Sequence, residues 1–484
     1  GEPEVGPATL AAELAARTPM RIVEVLAPTR IEPDHVYLLA PGALLDVKDW
    51  TLCPSPGVAP GPDQPDPQPP IDGFFGALAR DIDSSALGVL LSGAGSDGVI
   101  GLREIKGVGG ITIAQEPASA ANEGMPRAAI ASGAVDLVLP PARIAEELQR
   151  LGKHPYVRQP VRPSSEDLVI HPDQLARIFA LLRSASSVDF THYKSPTIRR
   201  RLQRRMVLHR LDSVEQYIRY MRENPDEVTR LYQDLLIHVT RFFRDPESFK
   251  ALAAEVFPAL IEKHRGGQPI RIWLPGCSTG EEAYSVAIAF LEHLGDDHGA
   301  VTVQIFATDV SETSIEQARN GLYPESITAD LSPERLRRFF TRSDGSYRIH
   351  KVVRDLCVFA RQDVTRDPPF SKLDLIVCRN VLIYMGPVLQ RKLMTVFHYA
   401  LKTSGFLMLG GAETVGAQGE LFTVIDKKAR IYVKKLCDSP ASLQIPVDYH
   451  PGRLPSPGPR PVETYAAGGL QAEVNRQILD RYGP

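Results

Sequence analysis

The residues whose types and spacing most directly suggest chemistry are two carboxylates closing a glycine turn and a third at the end of the next strand. The run 270–274, Ile-Arg-Ile-Trp-Leu, reads as a buried strand, passes into Pro275-Gly-Cys-Ser-Thr-Gly-Glu-Glu and continues in the helical pattern Ala283-Tyr-Ser-Val-Ala-Ile-Ala. Strand, glycine turn and helix in that order form a nucleotide-type cofactor site, with Gly276 and Gly280 letting the backbone approach a ligand and turn tightly. No Lys-Ser/Thr follows the glycines and G-x-G-x-x-G is absent, so a phosphate loop is excluded. Glu281 and Glu282 open the helix instead, where the dipole favours acids but a pyrophosphate would be repelled. The second strand-like run, 303–308, leads to Asp309, an acid able to accept from both hydroxyls of a ribose. A nucleoside with a cationic or neutral tail fits this set, and S-adenosylmethionine has that chemistry.

The run 167–435 carries four ordered motifs: Val239-Thr-Arg-Phe-Phe-Arg-Asp, Gly276-Cys-Ser-Thr-Gly-Glu-Glu-Ala-Tyr-Ser, Ala307-Thr-Asp and Cys378-Arg-Asn-Val-Leu-Ile-Tyr. On these it resembles the chemotaxis receptor methyltransferases, which move a methyl group from S-adenosylmethionine to glutamate side chains of chemoreceptors. The resemblance implies cofactor contacts for Thr240, Arg244, Glu281, Asp309, Arg379 and Asn380, and an adenine flanked by Asp363 and Val364. It also implies that Arg244 and Tyr384 lie near the transferred methyl. His238 stands where the family usually has Asn; it is either a cofactor contact whose charge varies with pH or an ordinary half-buried helix residue. A glutamate is already ionised at neutral pH, so the reaction needs no general base and positioning dominates. Arg244 could orient the incoming carboxylate through paired donors and Tyr384 could orient cofactor or substrate through its hydroxyl; the structural alternatives are an ion pair and a core tyrosine.

Between Phe190 and Leu211 stand Lys194 and the arginines Arg199, Arg200, Arg201, Arg204, Arg205 and Arg210, with no acid. Helical spacing puts Ile198, Leu202 and Met206 on one stripe, which predicts a helix with one buried and one cationic side. Nucleic acid, an acidic protein surface and the C-terminal domain are the candidate partners, and the acidic protein surface is preferred over nucleic acid. The resemblance implies the same, with Arg199, Arg200, Arg204 and Arg205 facing the receptor helices. It further implies a small three-stranded subdomain near 332–359, whose hairpin around 341–349 is slightly short, pointing to recognition without a receptor tail peptide.

Further upstream, Leu87-Gly-Val-Leu-Leu-Ser-Gly-Ala-Gly-Ser-Asp-Gly is a strand running into a glycine turn that presents Asp97. Alone, Asp97 could serve a phosphate loop, a metal or a catalytic triad. With Ala114-Gln-Glu-Pro-Ala-Ser-Ala and Gly124-Met-Pro-Arg-Ala-Ala-Ile, residues 10–151 resemble the catalytic domain of chemotaxis receptor methylesterases, in which that acid is the third member of a Ser, His, Asp triad. The family's Ser lies on an earlier strand and its His falls at about the position of Gly1, so either both precede Gly1 or this half is a relic used for regulation or docking. Asp97 is therefore expected to be a remnant, and esterase activity is not expected from these residues.

The elements that must hold these groups follow from pattern and composition. A chain of 484 residues, 43% hydrophobic and 23% charged with formal charge −3, suggests about three globular domains and no polycation. Five cysteines without a C-x-x-C pair, and no apolar run near the roughly 18 residues that span a bilayer, point to a reducing cytoplasmic setting without membrane insertion, disulfide framework or metal site. The 41 prolines bunch at 54–70, 155–163 and from 440 to 461. The expected fold class is α/β: a doubly wound methylesterase-like domain (1–151), a linker (152–166), an all-α domain (167–264) and a Rossmann-like methyltransferase domain (265–436). A proline-rich linker with the amphipathic stretch 470–482 (437–484) is expected to lead into a further sensory domain. The competing reading is a non-catalytic chemosensory scaffold.

Overall fold

The computed structural model describes residues 7–40, 43–56, 69–158, 170–186, 188–236, 240–264, 267–295, 301–343 and 345–436, and the chain divides into two compact units. His238, the linker beyond 158 and the stretch 470–482 lie outside the described residues.

One unit comprises 192–194, 240–322 and the chain from 349 onward. Its centre is a seven-stranded sheet in the order Cys357–Arg361, Val303–Asp309, Ile270–Pro275, Leu373–Cys378, Leu401–Leu409, Ile431–Lys434, Phe422–Asp426. The first five strands are parallel and the last two antiparallel. Leu373–Cys378 is buried at every position, as a central parallel strand covered on both faces must be. Trp273 sits fully buried in the middle, edge-on to Phe370 and Phe397, and its indole N–H donates to Thr308 Oγ1 at 3.0 Å. Chain order reverses between Ile270–Pro275 and Leu373–Cys378, which places a crevice at the carboxyl ends of these strands. The opposite end of the sheet is braced by Asp374, fully buried, which accepts from Arg271 N at 3.0 Å and Lys402 Nζ at 2.7 Å and pairs with His264 at 2.9 Å. A separate three-stranded sheet, Leu322–Pro324, Ser346–Ile349 and Phe340–Ser343, begins ahead of the expected start near 332.

The other unit contains residues 1–191, 195–239 and 323–348, the last of which carries most of the separate three-stranded sheet. Leu87–Leu90, Ile111–Gln115 and Leu137–Leu139 form a parallel sheet, and helices Pro70–Ile82 and Val99–Val108 share the cluster of Phe75, Ala79, Leu102 and Ile105. The helices Pro172–Ser186, Ser195–Leu208, Val214–Glu223 and Pro225–Leu235 follow; Val214–Glu223 is fixed at its start by a reciprocal capping box between Ser213 and Gln216.

The arginine-rich helix departs from the expectation. Ile198, Leu202 and Met206 are buried as predicted, but so are Arg201, Arg204, Arg205 and Val207. Arg204 has no exposed side-chain surface: it pairs with Asp136 and, at 2.7 Å, with Asp234, and donates to the Gly110 carbonyl at 2.9 Å. Arg205 holds Glu227, which also accepts from Tyr217 Oη at 2.8 Å, and Arg201 donates to the Lys106 and Gly107 carbonyls at the end of Val99–Val108. Arg204 and Arg205 therefore do not face a substrate; Arg199 is exposed and Arg200 half-buried. The physical reason is that the acids and carbonyls paired with this helix come from sequence-distant elements, which helical periodicity cannot register. Val207 joins Ile111, Ile113, Ile144 and Leu151 in one core, so the upstream α/β half and the helical bundle share buried surface.

Candidate functional site

Four loops leave the carboxyl ends of the parallel strands and carry the residues singled out above. After Ile270–Pro275 the chain turns at Gly276 (φ 77°), whose N–H donates to the Thr308 carbonyl at 2.7 Å. A Cβ at Gly276 would lie 2.4 Å from Val381 Cγ2, so its bareness serves contact with the neighbouring loop rather than approach to a ligand. Ser278 follows in the left-handed region (φ 49°) and donates its N–H to Asp309 Oδ2 at 2.9 Å; Asp309 Oδ1 accepts from Ser311 N at 2.9 Å. Asp309 thus fixes the turn, and each oxygen keeps a second acceptor direction for a sugar hydroxyl. Glu281, 4% exposed, accepts from Thr279 Oγ1 at 2.6 Å.

The segment after Thr240, itself half-buried, is pinned to this loop by Phe243 N donating to Ser285 Oγ at 2.9 Å. Arg379, with a side chain 1% exposed, binds Asp245 at 2.7 Å, Glu282 at 3.1 Å and the Arg244 carbonyl at 3.0 Å. Burial pushes the Glu282 carboxyl up, opposed by the charges of Arg379 and Arg244. Arg379 thereby holds the Arg244 segment in place. Tyr384 closes the turn Leu382–Tyr384 half-buried, its carbonyl accepting from Lys194 N at 2.9 Å. Asp363 binds Thr365 through Oδ1 at 2.6 Å, burial raises its carboxyl, and Val364 packs on the Trp273 core.

Two observations mark this crevice as built for a ligand. Phe243, Asp245, Ser278 and Asn380 are non-glycine residues with φ between 48° and 59°, a strain that clusters at functional sites. In addition, Ser278 Oγ, Asp363 Oδ2 and Asn380 Oδ1, carried by three of these loops, are buried without hydrogen-bond partners. Such groups call for a polar occupant, and one donor and two acceptors suit a nucleoside. Sequence reasoning missed Glu413, 4% exposed, whose carboxylate binds the backbone of the Asn380 loop; it lies beyond the recognised motifs, in a segment without periodicity.

In the upstream half, Asp97 accepts from Ile71 N at 3.1 Å and Asp72 N at 2.9 Å, capping helix Pro70–Ile82. Asp72, 1% exposed, accepts from Gly101 N at 2.8 Å, while its Oδ2 is buried without a hydrogen-bond partner. Burial, opposed by the Gly101 N–H and reinforced by Asp97, pushes its carboxyl up to about 7.

The family profile described as CheR methyltransferase, SAM binding domain, matches residues 238–431, and that of the CheR all-alpha domain matches 173–236. A chemotaxis protein methyltransferase of Vibrio parahaemolyticus is 30% identical over 260 residues, 52% of this chain and 94% of that protein. The chain belongs to the chemotaxis protein methyltransferase family. Residues 238–431 of this methyltransferase, which include the loops described above, are an S-adenosylmethionine-binding domain. A putative methyltransferase, Cher3, of Pseudomonas putida is 34% identical over 258 residues, 51% of this chain and 92% of that one. Residues 3–148 match the CheB methylesterase family, so a methylesterase-like half precedes the methyltransferase. Both halves are matched by an uncharacterized 104.1 kDa protein of Rhodobacter capsulatus, 36% identical over 442 residues; these are 87% of this chain but 46% of that protein, so the chain spans about half of it. Among the described residues no helix is long and apolar enough to cross a membrane, and no group of His, Cys, Asp and Glu could hold a metal.

Proposed function

We propose that this methyltransferase transfers the sulfonium methyl of S-adenosylmethionine to glutamate side chains of a chemoreceptor-type signalling protein, in the cytoplasm. The observation that carries this reading is the convergence of Ser278, Asp363 and Asn380, each with a buried polar atom lacking a partner, around the carboxyl ends of the central strands. Asp309 and Asn380 would hold the nucleoside, with Asp363 toward the base; when bound, the cofactor supplies an electrophilic methyl group. An ionised glutamate needs no base, so the duties of the protein's own residues are to orient and to exclude water. Arg244, braced through its carbonyl by Arg379, would meet the incoming carboxylate, and Tyr384 would line its approach. The upstream half is not assigned an esterase reaction: Asp97 has no Ser or His partner among the matched motifs, and no methanol release from methyl-glutamyl esters is expected. The test is mass spectrometry of candidate receptor cytoplasmic fragments incubated with protein and cofactor. Methyl added on glutamate is the expected result, and unmodified fragments despite calorimetric cofactor binding would overturn the substrate assignment.

A further inference from the structure

Glu413 follows the strand Leu401–Leu409 and folds back over its own turn. Oε2 accepts from Gly410 N at 2.7 Å and from Asn380 N at 2.9 Å; Oε1 accepts from Leu382 N at 2.7 Å and Ile383 N at 3.3 Å. The residue is 4% exposed, so a desolvated carboxylate is satisfied by backbone donors from two strand exits. Two of these donors, Leu382 and Ile383, open the turn Leu382–Tyr384, where N–H groups have no partner within the turn. The third, Asn380, is in the left-handed region (φ 58°), a conformation that costs free energy and persists only where its surroundings impose it. The two strand exits meet so closely that a Cβ on Gly410 would fall 2.7 Å from Glu413 Oε2 and 2.9 Å from Asn380 N. Asn380 Oδ1, buried without a hydrogen-bond partner, and Tyr384 are both carried by the segment this carboxylate grips.

We infer that Glu413 is a positioning residue: it holds the loop 378–384 in the shape that offers the Asn380 side chain to the nucleoside, and acts on cofactor affinity through that loop. The inference rests on the proposed reading of the crevice as the cofactor site in action. Glu413→Gln keeps the size but turns an amide toward N–H donors. The control is Asp374→Asn, which disturbs an equally buried carboxylate at the far end of the sheet. Calorimetric titration with S-adenosylhomocysteine and thermal melting are measured on the full chain for parent and variants. Glu413→Gln is expected to weaken binding by about tenfold or more, while Asp374→Asn lowers the melting temperature and leaves the dissociation constant at the parent value. Gly410→Ala, which crowds the same carboxylate, should weaken binding likewise and serves if Glu413→Gln does not fold. Unchanged affinity in the folded variant, or losses in both carboxylate variants that simply follow melting temperature, would overturn the positioning role. Failure of the parent itself to bind would instead sink the cofactor reading.

Discussion

Arg379 and Arg244 divide one task between a buried and a half-buried guanidinium. Arg379 saturates Asp245 and Glu282, which leaves Arg244 as the arginine whose segment it steadies. Removing the Arg244 side chain leaves in place the bond from Arg379, which goes to the Arg244 carbonyl. Arg244→Ala is expected to abolish methyl transfer in a tritiated-cofactor assay while far-UV dichroism stays as in the parent. Asp72 gives a pH prediction with a definite sign. Its folded-state carboxyl stands at about 7 against about 4 in an unfolded chain, so the folded state binds the proton more tightly. Its contribution is most favourable below about pH 4 and is lost as pH rises toward 7, by roughly 4 kcal/mol at the upper limit. Asp72→Asn should flatten that decline, read by urea unfolding at about pH 5 and about pH 8; an equally steep decline in the variant would refute it. At this scale the sequence was legible where motifs are local, as in the turn from Gly276 to Glu282 and Asp309. Glu413 was not, because its role is created by contacts with 380–383, a strand away.

The helix Ser195–Leu208 shows what pattern can and cannot tell about an element. Its apolar stripe was readable, and so were the buried strands Ile270–Pro275 and Leu373–Cys378, each apolar but for one charged residue near its start, Arg271 and Asp374. The edge strand Phe422–Asp426, exposed over much of its length, and its neighbour Ile431–Lys434 escaped notice. The buried arginines could not be foreseen, since a run of one charge sign reads as a face for an external acidic partner unless the chain's own distant acids are known to meet it. Asp136 is that acid for Arg204. Burial alone would raise its carboxyl, but Arg204 and Lys106 outweigh burial and hold it down at about 2. Its stabilising contribution is thus complete above about pH 4 and lost as pH falls toward 2. Asp136→Ala leaves a fully buried guanidinium short of one partner, which should cost about 3 to 5 kcal/mol in denaturant unfolding at neutral pH. A loss under about 1 kcal/mol would mean the pair contributes as little as a surface bridge.

On the scale of the whole molecule, a methylesterase-like half and the helical part of the methyltransferase lie in one compact unit. Sequence resemblance draws a boundary between them, yet Val207 of the helical part is 4% exposed and clustered with Ile111, Ile113, Ile144 and Leu151 of the other. A core shared in this way makes the two parts cooperative, because neither can open without exposing apolar surface of the other. Val207→Ala removes two methyl groups from that core and should cost about 2 kcal/mol. Native-state hydrogen exchange then distinguishes the arrangements. If the parts form one folding unit, the slowest amides of Ile111–Gln115 and of Ser195–Leu208 lose protection together and by the same amount. If they are two modules in mere contact, protection falls in the helix alone and the strand keeps its own. The first outcome would mean that the upstream half is retained as part of the transferase's fold, independently of any esterase chemistry at Asp97.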